Sequence, residues 1–390
     1  MPERWLALDL LRFSAIVLMV QGHVFRALLS SAYDGMRWLR HHDFVHGYTA
    51  PIFLFASGLA FGHTTFRSWF SHLKWGPALR KRWGRYGWLL AIGYALHIPA
   101  RGLSKLLALD KESVLAWLQV DVLQHIAVSL GLLQLLVFVL RTPKRFAWVV
   151  GVLFGITLFG APWVWRWEPS KILPLPLAAY LNAKTGSPFP LVPWAAFTHG
   201  GVLVAYMSRH LKEPSRHLAW PLLYGALALF VIPIAINRTG LQPFGAHDFW
   251  KTDPYYSLFR LANVIFLLSA WCFVENWIRY SIKFAEKNSS VRRFLDFLLH
   301  VVRRGSEESL VIYVGHLVVL HGCVLFHGIS QYWGRSFSFF EALGIFLLLL
   351  TFSIGSGFIW HFAKRLGWPF RAFQWITVTA FAYLVLVEAR

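Results

Sequence analysis

The sequence predicts an all-α, polytopic integral membrane protein with about eleven transmembrane helices. Two features of its composition predict this class: 57% of the 390 residues are hydrophobic, and only 14% are charged. A soluble domain carries about 25% charged residues, and a soluble core of this size could not bury so much apolar surface. The same composition excludes a disordered chain. A disulfide scaffold is excluded because the only cysteines, Cys272 and Cys323, lie inside apolar stretches.

Eleven segments are apolar enough, and nearly all long enough, to supply the roughly 20 residues that a spanning helix needs. They are residues 5–29, 47–66, 83–100, 114–140, 146–163, 191–208, 218–236, 257–278, 308–328, 341–362 and 371–388. The longest connections, 163–190 and 279–307, are too short to fold alone. We therefore expect a single transmembrane domain over residues 1–390.

The distribution of basic residues predicts the orientation of the spans. The net charge of +20 does not form one patch that would favour nucleic acid, because Lys and Arg occur in short clusters between apolar stretches. Loops on the side of the N-terminus carry 23 Lys and Arg, and loops on the other side carry 13. Basic residues concentrate on the cytoplasmic side of membrane proteins. We therefore expect a cytoplasmic N-terminus. The expected location is the cell membrane, specifically a bacterial inner membrane, with a multi-pass topology.

The first predicted helix carries the most informative polar residues. Arg12 and His23 are eleven residues apart, which is 20° past three full turns, so they share one stripe and lie about 16 Å apart along the axis. Asp9, one turn before Arg12, is placed to pair with it. An arginine suits a phosphate-bearing donor, and a histidine suits general-base chemistry. The alternative is that Asp9 and Arg12 are interfacial residues and His23 is a packing residue.

Three further groups of polar residues lie in or beside the predicted spans. They are His46 with His41 and His42 in the first outer loop, Asp121 with Gln124 and His125 in the fourth span, and His316 with His327 in the ninth. The spacing of Asp121 and His125 allows the carboxylate to orient the imidazole or to bind an acceptor, and polar contacts between helices are the alternative for each group. No two spans repeat one histidine spacing as paired haem ligands would, so we expect neither haem nor metal.

A resemblance rests on the opening RWLALDLLR at residues 4–12, followed by ten residues and His23. This opening resembles the Arg-x10-His signature of the acyltransferase 3 superfamily. Later segments are similar, in order, to one branch of it, the heparan-alpha-glucosaminide N-acetyltransferase catalytic-domain-like family. They are residues 50–58 (APIFLFASG), 121–125 (DVLQH), 189–194 (FPLVPW) and 309–316 (SLVIYVGH).

The resemblance implies a membrane acyltransferase that takes an acyl group, in particular acetyl, from cytoplasmic acyl-CoA to a hydroxyl or amine of an extracytoplasmic glycan or envelope component. Within it, His23 and Arg12 match the superfamily's histidine and arginine. Heparan-type members tend to have Asn at the first position and their key histidine in the first outer loop, where His46, or less closely His41 or His42, is the counterpart. The catalytic assignment is therefore divided, and position 125, often Arg in relatives, is His.

The resulting hypothesis is direct transfer. The donor pyrophosphate is held by Arg12 and by cations of a cytoplasmic loop, His23 removes the acceptor proton, and other polar residues position the acceptor or stabilise the oxyanion. The loop cations are Arg80, Arg82 and Arg85; the acceptor-binding candidates are Asp9, Asp121, Gln124, His125 and His316, and His46 is the second catalytic candidate. A covalent acyl-histidine is a further option.

Two other functions fit the same residues. The main alternative is a transporter or flippase for an amphipathic or lipid-linked substrate, against which the lack of an inverted repeat counts. The other is a non-catalytic scaffold of the envelope. Membrane lipid is an expected partner, and a homodimer is left open.

Overall fold

The structure of the protein is a computed structural model that describes residues 4–239, 243–284 and 290–387. It is 80% helical, which confirms the all-α class. Within the described residues, six helical segments are long and apolar enough to cross a membrane. They are Leu6–Leu28, Arg37–Arg67, Val122–Leu140, Pro214–Ile236, Pro254–Ile282 and Phe339–Leu366. The chain is thus an α-helical membrane protein, while the count of about eleven spans and the cytoplasmic N-terminus stay predictions.

The described part of the chain forms nineteen α-helices and two short strands. The first ten helices are α1 (Leu6–Leu28), α2 (Arg37–His46), α3 (Thr49–Arg67), α4 (Pro77–Ala95), α5 (Leu103–Leu107), α6 (Lys111–Leu118), α7 (Val122–Leu140), α8 (Pro143–Phe159), α9 (Ala161–Val164) and α10 (Leu175–Ala178). The remaining elements are α11 (Leu191–Ser208), α12 (Pro214–Arg238), α13 (Phe249–Thr252), α14 (Pro254–Phe284), α15 (Ser290–Glu307), α16 (Ser309–His321), β1 (Gly322–Cys323), β2 (Phe326–His327), α17 (Ile329–Trp333), α18 (Phe339–Ala363) and α19 (Trp368–Leu386).

The contacts divide the chain into two compact units. Unit 1 comprises Met1–Leu11, Ala50–Ala95 and Leu118–Tyr280, and unit 2 comprises Arg12–Thr49, Leu96–Trp117 and Ser281–Arg390. Helix α1 therefore supplies its first turns to unit 1 and the rest of its length to unit 2.

Unit 1 is held by close helix packing. Helix α11 packs chiefly against α8, and α4 packs against α7. Helices α3 and α11 approach so closely that a Cβ at Gly58 would lie 1.9 Å from the Thr198 carbonyl oxygen, and a Cβ at Gly201 would lie 2.0 Å from that of Phe55. Small residues at such crossings let the two backbones touch, which is how helices associate in a membrane.

A buried carboxylate anchors the beginning of the chain within unit 1. Glu275 of α14 is 2% exposed. Its Oε2 accepts from the Ala7 backbone N–H at 2.8 Å and from the Ser215 hydroxyl at 2.5 Å, and its Oε1 accepts from the Arg279 guanidinium. The Trp5 indole in turn donates to Ser215 at 2.8 Å. These donors compensate the buried negative charge of Glu275, and removing one partner of such a group lowers the stability of the fold.

Unit 2 is organised around α18, which packs against α16 and α15. Buried Glu308 accepts a hydrogen bond from Lys364 Nζ at 2.6 Å and lies 3.1 Å from His361 Nδ1, which fixes the start of α16 to the end of α18. At the opposite ends of these helices, Arg335 donates to Asp34 and, through Nε, to the Leu29 carbonyl at 3.0 Å.

Two predicted segments differ from the helices observed. The segment 308–328 is not one span, because α16 ends at His321, where Gly322 takes a φ of +77°. His327 therefore lies on β2 and not on the stripe of His316. The segment 114–140 is broken before Val122, where the Asp121 carboxylate caps α7 by accepting from the Val122 N–H at 2.7 Å.

Candidate functional site

Helix α1 presents Gln21, Gly22 and His23 within unit 2. The helix is apolar along most of its length, and His23 is half-buried. The residues around it come from α2 and α16, so the site is assembled from parts of the chain nearly 300 residues apart.

Helix α2 brings His46 onto the surface of Gly22. A Cβ at position 22 would lie 1.7 Å from His46 Nε2, so only glycine leaves room for this imidazole. The ring centroids of His46 and His23 are 6.1 Å apart. The His46 Nε2 atom is buried and has no hydrogen-bond partner. His41, His42 and His46, which the sequence placed in an outer loop, thus lie on α2, and His46 is the last residue of that helix.

His316 of α16 completes the contact and defines which nitrogen of His23 carries hydrogen. His316 Nδ1 lies 2.9 Å from the Ile312 carbonyl oxygen, which only accepts, so Nδ1 carries the hydrogen of a neutral His316 ring. His316 Nε2 is then an acceptor. Since His23 Nδ1 lies 3.0 Å from it, His23 Nδ1–H donates. His23 Nε2 therefore carries no hydrogen, and its free lone pair can accept a proton, as a general base must.

Two further histidines border this group. His321, at the end of α16, has its ring centroid 6.2 Å from that of His23. His42 of α2 donates through Nε2 to Gln21 Oε1 at 2.9 Å, and its ring centroid is 6.1 Å from that of His46. We call these five side chains the histidine cluster: His23, His42, His46, His316 and His321.

An exposed ion pair, Arg335 with Asp34, lies beyond the end of α1. Hydrogen bonds from Arg335 lower the pKa of the Asp34 carboxyl below its ordinary value, and those same bonds raise the pKa of Arg335. Ser30 N–H donates to the Phe337 carbonyl at 2.9 Å, and Phe337 N–H donates to the Leu28 carbonyl at 3.0 Å. The end of α1 is thereby joined to the segment that precedes α18.

Among the described residues, no group of three or more His, Cys, Asp or Glu side chains is placed to hold a metal ion. The absence of metal and haem stays an expectation.

The candidates in unit 1 lie in a different environment. His125 is fully buried, and its Nδ1–H donates to the Phe189 carbonyl at 3.0 Å while Nε2 has no partner. The expectation that Asp121 orients this imidazole is wrong, because the Asp121 carboxylate caps α7 and a backbone carbonyl holds the ring. Gln124 is also buried and packs against Gly93. Substrate binding by these three residues stays a prediction.

The charged candidates are distributed along α1 and α4. The Asp9 carboxylate accepts hydrogen bonds from the Arg4 guanidinium, and the pairing of Asp9 with Arg12 stays a prediction. Arg82 donates from its two terminal nitrogens to Thr65 Oγ1, Gln134 Oε1 and Thr64 Oγ1 at 2.8–3.0 Å, which is the geometry of a clamp between helices of unit 1. Its neighbours Arg80 and Arg85 are exposed on α4, and donor binding by the three arginines stays a prediction.

Sequence reasoning did not single out His321 or Gln21 as members of the site. His321 lies five residues after His316 on α16, and Gln21 directly precedes the glycine that seats His46. A local signal was present for Gln21, since a polar residue, a glycine and a histidine follow one another in an otherwise apolar helix.

Fold and site together define a membrane-embedded helical protein with an imidazole cluster in which one ring nitrogen is prepared to accept a proton. A family model described as heparan-alpha-glucosaminide N-acetyltransferase, catalytic, matches residues 4–232. This match covers more than half of the chain, and the chain belongs to that family, which is one of membrane acetyltransferases. The family resemblance is confirmed, and membership of the acyltransferase 3 superfamily stays a prediction. A comparison with curated protein sequences finds no match.

The matched region contains three members of the histidine cluster and excludes two. His23, His42 and His46 lie inside residues 4–232, whereas His316 and His321 lie beyond its end. The contact of His23 with His316 is therefore a feature of this chain's structure that the family match does not describe.

Proposed function

We propose that the protein transfers an acetyl group from cytoplasmic acetyl-CoA to a hydroxyl or amine of an extracytoplasmic glycan, in a bacterial inner membrane. The observation that carries this proposal is the 6.1 Å between the rings of His23 and His46, the two alternative catalytic histidines of the sequence. Family membership supports acetyl transfer. The family's name specifies a glucosaminide and N-acetylation, so the amine of an amino sugar is the first acceptor to test.

In the proposed reaction, His23 Nε2 accepts the proton of the acceptor as its oxygen or nitrogen attacks the thioester carbonyl. A new bond forms to the acyl carbon, the C–S bond breaks, and its electron pair leaves on the sulfur of CoA. The proton on His23 then passes to that sulfur, so the enzyme is unchanged after each transfer. General-base assistance of this kind contributes about 10²–10⁴-fold to the rate.

His316 supports this base by keeping hydrogen on His23 Nδ1. The chain of contacts from the Ile312 carbonyl through His316 to His23 holds the ring orientation and shares the positive charge that develops during proton transfer. His316 is thus a positioning residue, because it acts through His23.

His46 has a complementary role in the proposal. Its Nε2 is buried without a partner beside His23, and a buried polar atom of this kind requires a hydrogen-bond partner. We assign that atom to the acceptor or to the oxygen of the tetrahedral intermediate, where a fixed donor stabilises the developing negative charge.

Arg12 is the proposed contact for the anionic end of the donor. Eleven residues of helix separate it from His23, which is about 16 Å along the axis. This separation suits a donor whose phosphates are distant from its thioester, and the guanidinium fork binds phosphate oxygens in pairs.

The test uses purified full-length protein, labelled acetyl-CoA and a panel of amino sugars and neutral sugars. His23→Ala and His46→Ala are each expected to lower transfer at least about 100-fold, since each removes a group that contacts the reacting atoms. His327→Ala, an exposed histidine of unit 2, is the matched control and should keep the wild-type rate. Wild-type transfer by both His23→Ala and His46→Ala would overturn the proposal.

Binding of the donor distinguishes this enzyme from the alternative transporter. CoA at 100 times its dissociation constant stabilises a protein that binds it by about 2.7 kcal/mol. A melting temperature that rises with CoA, and rises less in Arg12→Gln, supports the acetyltransferase. A melting temperature that is indifferent to CoA favours transport of another substrate.

A further inference from the structure

Helix α15 of unit 2 has an apolar side that the protein leaves largely uncovered. Val291, Phe294 and Phe297 are 66%, 60% and 62% exposed, and Leu298 is 40% exposed. At 100° per residue these four side chains lie within an arc of about 120°. Exposed aromatic and aliphatic residues on one helical face mark an interaction surface when they are contiguous.

The second half of α15 is fixed to the rest of unit 2. Leu299 is buried, and the ring of His300 lies 5.4 Å from that of Phe358 on α18. A Cβ at Gly305 would lie 2.8 Å from the Phe13 ring of α1. The helix therefore has a defined orientation, while the apolar side of its first half remains available.

The opposite side of α15 carries an excess of positive charge. The helix contains four arginines, Arg292, Arg293, Arg303 and Arg304, against the two acidic residues Asp296 and Glu307. The arginines fall between about 100° and 220° from Val291, which is the side away from the exposed apolar residues. Arg293 and Arg303 are exposed.

We propose that α15 lies in the plane of the membrane surface and binds the phosphates of anionic lipids through its arginines. A helix with one apolar side and one basic side inserts its apolar residues at the boundary of the headgroups and acyl chains. Each arginine near an anionic surface strengthens such binding.

A leaflet suits this surface better than a second copy of the chain. Two copies of α15 paired by their apolar sides would leave the arginine-rich side of each helix facing away from the pair, so such a dimer makes no use of the basic side. Anionic headgroups neutralise the same arginines. The chain crosses a membrane, so a lipid surface is also always adjacent to it.

The first experiment measures the charge contribution. Purified full-length protein in detergent is titrated with phosphatidylglycerol and with phosphatidylcholine. The double variant Arg293→Gln/Arg303→Gln is expected to bind phosphatidylglycerol about 30-fold more weakly than wild type, since each basic residue near the surface contributes about fivefold. The control is Arg365→Gln/Arg371→Gln, which removes two exposed arginines elsewhere in unit 2. Its loss of binding free energy for phosphatidylglycerol should be less than half of the loss in Arg293→Gln/Arg303→Gln.

The second experiment locates the helix. Phe297→Cys and Asp296→Cys, each in a Cys323→Ser background, are labelled with bimane in vesicles that contain phosphatidylglycerol and a nitroxide-labelled lipid; Cys272 is fully buried. We expect strong quenching at position 297 and weak quenching at position 296. Equal quenching at both positions, or equal phosphatidylglycerol affinity in the Arg293→Gln/Arg303→Gln protein and wild type, overturns the proposal. Disulfide formation between two copies through Cys at position 297, without lipid quenching, assigns the surface to a dimer instead.

Discussion

The histidines of the two units are held in different ways. In unit 2, His23 and His316 are hydrogen-bonded to each other, His46 lies against Gly22, and His316 is also bound to the Ile312 carbonyl. In unit 1, His125 is held by the backbone carbonyl of Phe189. The bond to the Phe189 carbonyl leaves His125 Nε2 without a partner, as His46 Nε2 is in unit 2. What distinguishes unit 2 is the hydrogen bond between two imidazoles, His23 and His316, which fixes the position of the hydrogen on the His23 ring.

The largest effect is expected for a variant that displaces His46 and so tests whether its position is required for acetyl transfer. Gly22→Ala places a methyl group in the space of the His46 ring. This should lower the rate of acetyl transfer roughly 100-fold, which is the rate contribution lost when an acid–base group is displaced. Alanine is otherwise about 0.8–1.0 kcal/mol better than glycine inside a helix. Gly344→Ala on α18, where a Cβ meets nothing within 4 Å, is the control. A wild-type rate in Gly22→Ala would remove His46 from the mechanism.

A smaller effect is expected when the contact between His316 and His23 is altered. His316→Leu removes the acceptor for His23 Nδ1–H and should lower kcat at least about tenfold with little change in KM, since loss of the group that fixes a catalytic imidazole has cost up to about 10⁴-fold elsewhere. His316→Gln returns an acceptor oxygen and should recover part of the rate. Equal rates in the Leu and Gln variants would contradict the positioning role.

The contrasting variant in unit 1 is expected to change stability. His125→Leu leaves the Phe189 carbonyl without its donor and should lower the free energy of unfolding by about 1–3 kcal/mol. The melting temperature in detergent measures this, with exposed His41→Leu as the reference. If His125→Leu keeps the wild-type melting temperature but raises the KM for the acceptor, His125 is instead a binding residue. The histidines of the two units would then differ less in their roles than proposed.

The smallest effect concerns pH and the stability of unit 1. Burial, and after it the positive charge of Arg82, lowers the pKa of His72 from 6.5 to about 4. The folded state therefore binds fewer protons than the unfolded state between these values, and the stability present above pH 6.5 is lost as the pH falls towards 4. His72→Gln should reduce the fall in melting temperature between pH 7 and pH 5. An identical fall in both proteins would show that His72 does not contribute.

The sequence predicted the class of fold, and it singled out several residues of the histidine cluster, because both inferences depend on local patterns. Apolar segments of spanning length indicate membrane helices, and each predicted segment overlaps a helix of the structure. His23 was found because an ionisable residue inside an apolar helix is conspicuous. The end of α16 was missed because a glycine with positive φ stops the helix inside an apolar stretch.

The arrangement of the site depended on long-range packing that no local pattern contains. The contact between His23 and His316 joins residues 293 positions apart. Two candidate catalytic histidines were therefore treated as alternatives, although the structure brings them into one cluster. The role of Asp121 was a different kind of error, because an acidic residue before an apolar run is a familiar helix cap and its partner lies next to it in the chain.

Glu275 has a consequence for how the protein is made. The backbone group of Ala7 and its carboxylate partner are 268 residues apart, so at about 5–20 residues per second roughly 13–54 s of translation separate them. The first turn of α1 therefore acquires its hydrogen bond to Glu275 only after α14 has been synthesised, late in the production of the chain.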